Sequence, residues 1–355
     1  MAFFLYLCSQ IKHKHMKKSI VLILMALVLW SCKGGNERVL TSATGSIYEC
    51  LVVCDAAVQA PVTETMGGDM YGLPQMEAVF TVAHISPELF DAMYMASRNI
   101  LLIDINGKKY TQVKAIQNRD VWSKPQAMVR IQAPDNESFL AYWQEHGETV
   151  REWFVREELA RQGYFYRAGT NKEARAKLQK QGYDIFIPED YILIKNSKLK
   201  IQNITDSVDV VWCCNNKGPM RRDVIVYSYP YTAQEQFSSD SIIAMRNAVM
   251  GQLVSAQVEG SHMGTEYRHF PPVTRSVAAL RDTVGGFYAM ETRGLWRMID
   301  GEAMGGPFVS LTRLDQVNSR VVTAEAFIYA PGQKKRNAMR QAEAILYTLK
   351  MPNER

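Results

Sequence analysis

Residues 126–135, QAMVRIQAPD, read as a strand that runs into Ala133 and Pro134 and then meets Asp135, a residue suited to cap a helix. The segment 320–331, RVVTAEAFIYAP, does the same before the last helix of the chain. In both places proline stops the strand, because it has no N–H to give to a ladder. After Asp135 the stripe Phe139, Trp143, His146, Val150 and Phe154 recurs every three, four or seven residues, as one face of a helix does, with Gly147 weakening its continuity. In the segment 333–349 the positions Met339, Ala342, Leu346 and Leu349 repeat that pattern.

Working outward, strands are expected at 48–54 and 76–84, and a helix at 86–97, where Ser86, Pro87 and Glu88 supply a cap, a first-turn proline and an acid at the positive end of the dipole. Residues 61–74 read as loop, and 100–105 and 110–116 as a hairpin turning at Asn106 and Gly107. A helix from Asn171 closes at Gly182. Strands follow at 183–187, 191–194, 208–213 and 224–229, then a helix with the face Ile242, Met245, Val249, Leu253 and Ala256. A loop precedes strands at 284–298, 308–314 and 320–329. The order strand, strand, helix, three strands, helix occurs twice, which is the pattern a duplication leaves. The expected class is α+β, with mainly antiparallel sheets covered on one face by helices, in an N-terminal lobe over 47–182 and a C-terminal lobe over 183–355.

The first 31 residues stand outside that fold. Lys17 and Lys18 precede eleven apolar residues, 20–30, and then Ser31 and Cys32. Eleven residues are too few to span a bilayer as a helix, which takes about 20. They suit a signal peptide, with residues 1–15 an early start ahead of Met16. The ending resembles the bacterial lipobox, which implies that Cys32 is acylated and becomes the new N-terminus. Residues 32–46 then form a lipidated tether whose polar, glycine-rich part reaches about 40 Å at full stretch. Lys33, Gly34, Gly35 and Asn36 precede the first acid, Glu37, which favours an outer-membrane lipoprotein facing the periplasm over a surface-exported one.

The removed part holds four lysines and no acid, so 37 of the 41 basic residues remain against 36 acidic ones. A nearly neutral chain has no electrostatic footprint for nucleic acid. Membrane attachment is expected through the lipid alone, with another envelope protein as the candidate partner.

Cys50, Cys54, Cys213 and Cys214 remain besides the anchor. An oxidising periplasm allows a bridge from the first pair to the second, and small buried hydrophobes are the other reading. Their spacing does not fit a metal site, and no cofactor motif is present. His262, Glu266 and His269 share a loop and form the best cluster for hydrolysis. Arg293, Trp296 and Arg297, with Gly305 and Gly306, form the candidate binding region, where Trp296 between arginines suits stacking on a small ligand or glycan; the favoured reading of the same segment is a strand, a sharp turn and a strand with Trp296 in the core. Together with the Cys32 signal, this tryptophan and the Gly305-Gly306-Pro307 segment resemble a family of bacterial envelope lipoproteins catalogued as a domain of unknown function. That resemblance implies an envelope lipoprotein and transfers no catalytic residue. Asp206-Ser207-Val208, Asp240-Ser241-Ile242 and Asp282-Thr283-Val284 resemble an O-glycosylation motif of exported proteins. The expected function is a non-catalytic binding or scaffolding component of the cell envelope, with a hydrolase as the alternative.

Overall fold

Three mutually parallel strands come first in the small sheet; the two inner ones are largely apolar and buried on both faces, whereas the edge strand 81–85 is only partly buried. They are β1 (Glu49–Val53), β2 (Thr81–Ile85) and β3 (Asn99–Ile105). The computed structural model describes residues 39–202, 204, 207–255, 258–278 and 288–354. β1 pairs in parallel with β2 and β3, and β3 pairs in parallel with β5 (Ala127–Ala133); β4 (Lys114–Arg119) closes this five-stranded sheet antiparallel to β5. The expected hairpin between 100–105 and 110–116 is therefore replaced by one between β4 and β5. Alternate residues of β1 enter different cores, Cys50 and Val52 one and Leu51 and Val53 another, so both faces of the small sheet are covered. Its parallel pairing departs from the antiparallel expectation, which holds for the larger sheet.

The crossover from β1 to β2 is a helix, α1 (Ala56–Met66), where loop was expected from residue 61. Pro61 lies inside it, and Val58, Val62 and Met66 bury one face at four-residue spacing. The expected helix over 86–97 resolves into two short 3-10 turns. Phe90 is extended between them, and the Asp91 side chain takes the N–H groups of Met93 and Tyr94, competing with helix continuation.

Asp135 caps α2 (Asn136–Ala168), 33 residues long, by accepting from the Ser138 N–H, as expected. Gly182, with φ of +103°, follows α3 (Lys172–Lys180). The eight-stranded second sheet is antiparallel throughout. It comprises β6 (Ile192–Leu199), β7 (Val208–Asn215), β8 (Arg221–Pro230), β9 (His262–Thr265), β10 (Val273–Ala278), β11 (Tyr288–Ile299), β12 (Gly305–Asp315) and β13 (Arg320–Tyr329). Residues 183–187 form no strand and are held by a lone bridge from Asp184 to Lys350, whereas β9 and β10 occupy the expected loop.

Successive residues of the large sheet's strands point to opposite faces, and both faces are buried. Val211, Cys213, Val224, Val226, Ala324 and Ala326 face α2 and the final helix, α5 (Arg336–Leu346). Val210, Trp212, Ile225, Tyr227 and Phe327 face α4 (Ser239–Leu253). Helices thus cover both faces rather than one. The near-parallel small sheet and the antiparallel large sheet share no topology, so the repeated order of elements does not appear as a repeated architecture. Residues Ser42–Arg355 form one compact unit, and a single core draws on β1, α1, α2, β7, β13 and α5 together.

Candidate functional site

Strand alternation puts Glu291 and Arg293 on the same face of β11, and the ladder sets Arg275 of β10 directly opposite Glu291. On α5, Arg340 and Glu343 are three residues apart and share a face with Tyr347, just past the helix. These two faces meet. Arg293 donates to Glu291 through Nε at 2.8 Å and Nη2 at 3.0 Å, and its Nη2 also reaches Glu343. Glu291 also accepts from Arg275 Nε at 3.0 Å and from the Tyr347 hydroxyl, which donates at 2.8 Å. Arg340 Nη1 donates to both Glu343 oxygens, at 3.2 and 2.9 Å, with its guanidinium 5.1 Å from the Tyr48 ring.

Glu291, Arg293, Arg340 and Glu343 are all less than 8% exposed. Burial alone pushes the Glu291 carboxyl up, but the charge and hydrogen bonds of Arg293, with Arg275 and Tyr347, outweigh it and hold the group down at about 2. Burial likewise opposes charge on Arg293, and Glu291 and Glu343 reverse that and raise it well above its usual range.

The network lines a cavity of about 260 Å³. Its walls come from both halves of the chain: Asp69, Met70, Tyr71 and Val79, then Arg151 and Glu152 of α2, then β10, β11 and Arg340. Tyr71 stacks on Phe270 at 5.0 Å and donates its hydroxyl to the Pro271 carbonyl, pinning the 69–72 turn against the large sheet. Gly72 has a φ of +90°, and a Cβ there would stand 3.3 Å from the Cβ of Arg293, so both backbone and space call for glycine. A second, larger cavity of about 490 Å³ lies between residues of the 76–81 segment and the start of α5, lined by Arg222, Lys334 and Arg336. There Glu77 accepts the N–H groups of Lys335 and Arg336, which caps α5 from across the fold and offsets the basic run at its positive end.

Of the candidate binding residues, Arg293 alone reaches the cavity. Trp296 is 3% exposed and donates Nε1 to the Ile328 carbonyl, so its ring is core and faces no ligand. Gly305 and Gly306 do allow close approach, but of the protein's own chain: a Cβ on Gly306 would fall 2.1 Å from the Ile328 oxygen, and one on Gly305 2.8 Å from the Trp296 oxygen. Arg297 is half exposed and lies 3.5 Å from Glu266. Cys50, Cys54, Cys213 and Cys214 are buried free thiols, and the bridge between the two pairs, the less favoured of the two readings, is not made. Cys32 lies outside the described residues, as do Asp206, Asp282 and Thr283; Ser241 sits in the first turn of α4, bonded to Ser238.

The loop cluster does not assemble. His269 is 3.6 Å from Glu266, whose carboxylate also takes the N–H groups of Arg268 and His269, while His262 turns to the Gly260 carbonyl. The hydrogen bonds from the His269 and Arg268 N–H groups hold the Glu266 carboxyl below its usual range, the wrong direction for a proton donor near neutrality. Among the described residues, no group of three potential ligands is placed to hold a metal ion, and no helix is long and apolar enough to cross a membrane.

Arg340, Glu343, Arg275 and Arg151 were not singled out by sequence. The signal was present as charges at two-residue spacing in β11 and three-residue spacing in α5, inside otherwise apolar elements.

Fold and cavity together define a mixed α+β protein with a charged, arginine-rich chamber where the large sheet and α5 meet α2 and the 69–79 connection. A family model described as a domain of unknown function (DUF4837) matches residues 171–348, about half of the chain, and a second domain of unknown function (DUF8532) matches residues 43–166. The chain belongs to the DUF4837 family. No curated protein matches. Among solved structures, it is similar to the solution structure of cyanobacterial PsbP (CyanoP) from Synechocystis sp. PCC 6803, at 11% identity over 48% of this chain and 88% of that one, with a TM-score of 0.30.

Proposed function

We propose that this protein is a lipoprotein of the bacterial outer membrane, anchored through Cys32 and facing the periplasm, whose globular part holds a small ligand without transforming it. The anchor rests on Lys17, Lys18, the apolar run 20–30 and Cys32. The binding role rests on one observation: buried arginines meet at a cavity whose lining contains no serine, cysteine, histidine or lysine. Such a lining, among the described residues, recognises charge and offers no serine, cysteine or lysine nucleophile beside a histidine base. Residues from both 47–182 and 183–355 contribute walls, so ligand occupancy would brace contacts between distant parts of the chain for an envelope partner to read.

Metabolic labelling with a palmitate analogue tests the anchor: label should appear on the wild-type chain and vanish in Cys32→Ala. A melting-temperature screen against small envelope metabolites tests the binding role. Unlabelled wild-type protein defeats the first half, and a screen in which nothing raises the melting temperature defeats the second.

A further inference from the structure

Among the described residues that line the smaller cavity, the buried side-chain atoms left without a hydrogen-bond partner are donors, the Nε groups of Arg151 and Arg340. Arg340 is 6% exposed, and its Nε has no hydrogen-bond partner among the described residues. Its Nη1 carries both bonds to Glu343, which leaves Nη2 free to donate. Arg275 uses Nε on Glu291 and keeps its two terminal nitrogens, and the buried Nε of Arg151 is also without a partner. The buried acceptors, by contrast, are consumed. Glu291 takes bonds from Arg293, Arg275 and Tyr347, and Glu343 takes them from Arg293 and Arg340. On this wall arginines 275, 293 and 340 meet two carboxylates, so one positive charge is in excess there; Arg340 is buried and Arg275 is half open to solvent, while Asp69 and Glu152 carry the negative charge elsewhere in the lining and Arg151 pairs with Glu148.

A buried guanidinium with unused N–H groups carries the cost of desolvation without the bonds that offset it. A carboxylate or phosphate oxygen supplies both the charge and the acceptors, in the planar fork geometry that arginine matches best. The volume of about 260 Å³ lies just under the roughly 300–1,000 Å³ of sites that take drug-sized molecules, so the occupant is compact.

We infer that this cavity binds a small oxyanion, a carboxylate or phosphate group on a compact molecule, gripped by Arg340 and Arg275 with Arg151 on the facing wall. This rests on the binding role proposed above and names the chemistry of its ligand. Asp69 and Glu152 line the same chamber and steer the uncharged or cationic end of the ligand toward their side.

Isothermal titration calorimetry on the purified protein tests it, with inorganic phosphate, acetate, glucose and choline as probes. Phosphate or acetate should bind at one site, and the comparison between them separates a phosphate site from a carboxylate site. Arg275→Gln should weaken that binding about tenfold or more, the cost of one charge-assisted hydrogen bond. Arg275 is about half exposed, and Glu291 keeps Arg293 and Tyr347 in its absence, so this variant retains the fold where Arg340→Gln may be checked by circular dichroism before use. Lys334→Gln, in the other cavity, should change nothing. Binding of glucose or choline without phosphate or acetate overturns the oxyanion assignment and leaves the binding role standing. Silence from all four probes counts against both. Anion binding that survives Arg275→Gln and is lost in Lys334→Gln places the anion elsewhere and also overturns the inference.

Discussion

A Cβ on Gly147 would stand 2.9 Å from Cε2 of Trp143, one turn back on the same helix. That indole is 3% exposed, and its Nε1 donates to the Pro61 carbonyl at 3.2 Å and the Thr65 hydroxyl at 3.1 Å, so it has little room to move. Alanine in place of glycine inside a helix ordinarily gains about 1 kcal/mol, whereas forcing a methyl into a packed core costs about 1–3 kcal/mol. The clash should win. Gly147→Ala is expected to lower the urea midpoint, by a net loss of up to about 2 kcal/mol; a higher midpoint would show that the ring yields. Sequence made Gly147 look like a weak point in the helix because propensity is local, while the reason for glycine is a tryptophan that only packing reveals. Trp296 allowed a stacking platform or a core ring, the second being favoured, and its surroundings fit the second: the glycines make room for backbone and the ring is core.

At the scale of elements, α2 is docked on the small sheet by a carboxylate as well as by its apolar stripe. Glu158 is fully buried and accepts from Arg98 through two nitrogens at 2.8 Å each, and from Asn99 at 2.7 Å, with Arg161 at 2.9 Å. Removing it leaves two guanidinium groups near the helix without their anion, a change that costs about 3–5 kcal/mol in comparable buried pairs. Glu158→Ala should lose stability on that scale in urea denaturation, far more than Glu157→Ala, whose partner Arg119 is largely exposed. Periodicity made α2, α4 and the long strands of the second sheet readable, because each pairs an apolar face with clear end signals. It could not give α1, where Pro61 argued for a break, nor the parallel pairing of β1 to β3, since a short apolar run looks the same whichever way its neighbour points. The 86–97 segment carried a good helix start, but Asp91 diverts the backbone one turn later.

For the whole molecule, the charged network is the polar counterpart of the shared core: Arg275, Glu291 and Arg293 belong to the large sheet, Arg340, Glu343 and Tyr347 to the last helix and its end, and Arg151 and Tyr71 reach the same chamber from the first half. Its strength should therefore show in global unfolding. Against an ordinary value of 4.5, the Glu291 carboxyl is held down at about 2, where burial is outweighed by Arg293 first and then by Arg275 and Tyr347. A carboxyl whose value is lower in the folded than in the unfolded chain favours folding fully above the unfolded value, and that advantage drains away as pH falls toward the folded one. The window is thus from about pH 4.5 down to about pH 2. Asp104 and Asp315, also held down despite burial by their hydrogen bonds to Arg130 and to Asn318 and Arg320, add to the acid slope, so the informative quantity is the difference between proteins. Melting temperatures of the wild-type chain should fall steeply across that window, while Glu291→Gln, less stable at pH 7, should fall less steeply, so that the two curves converge toward pH 2. Parallel curves would mean that Glu291 is not the group whose protonation loosens the joint between the large sheet and α5.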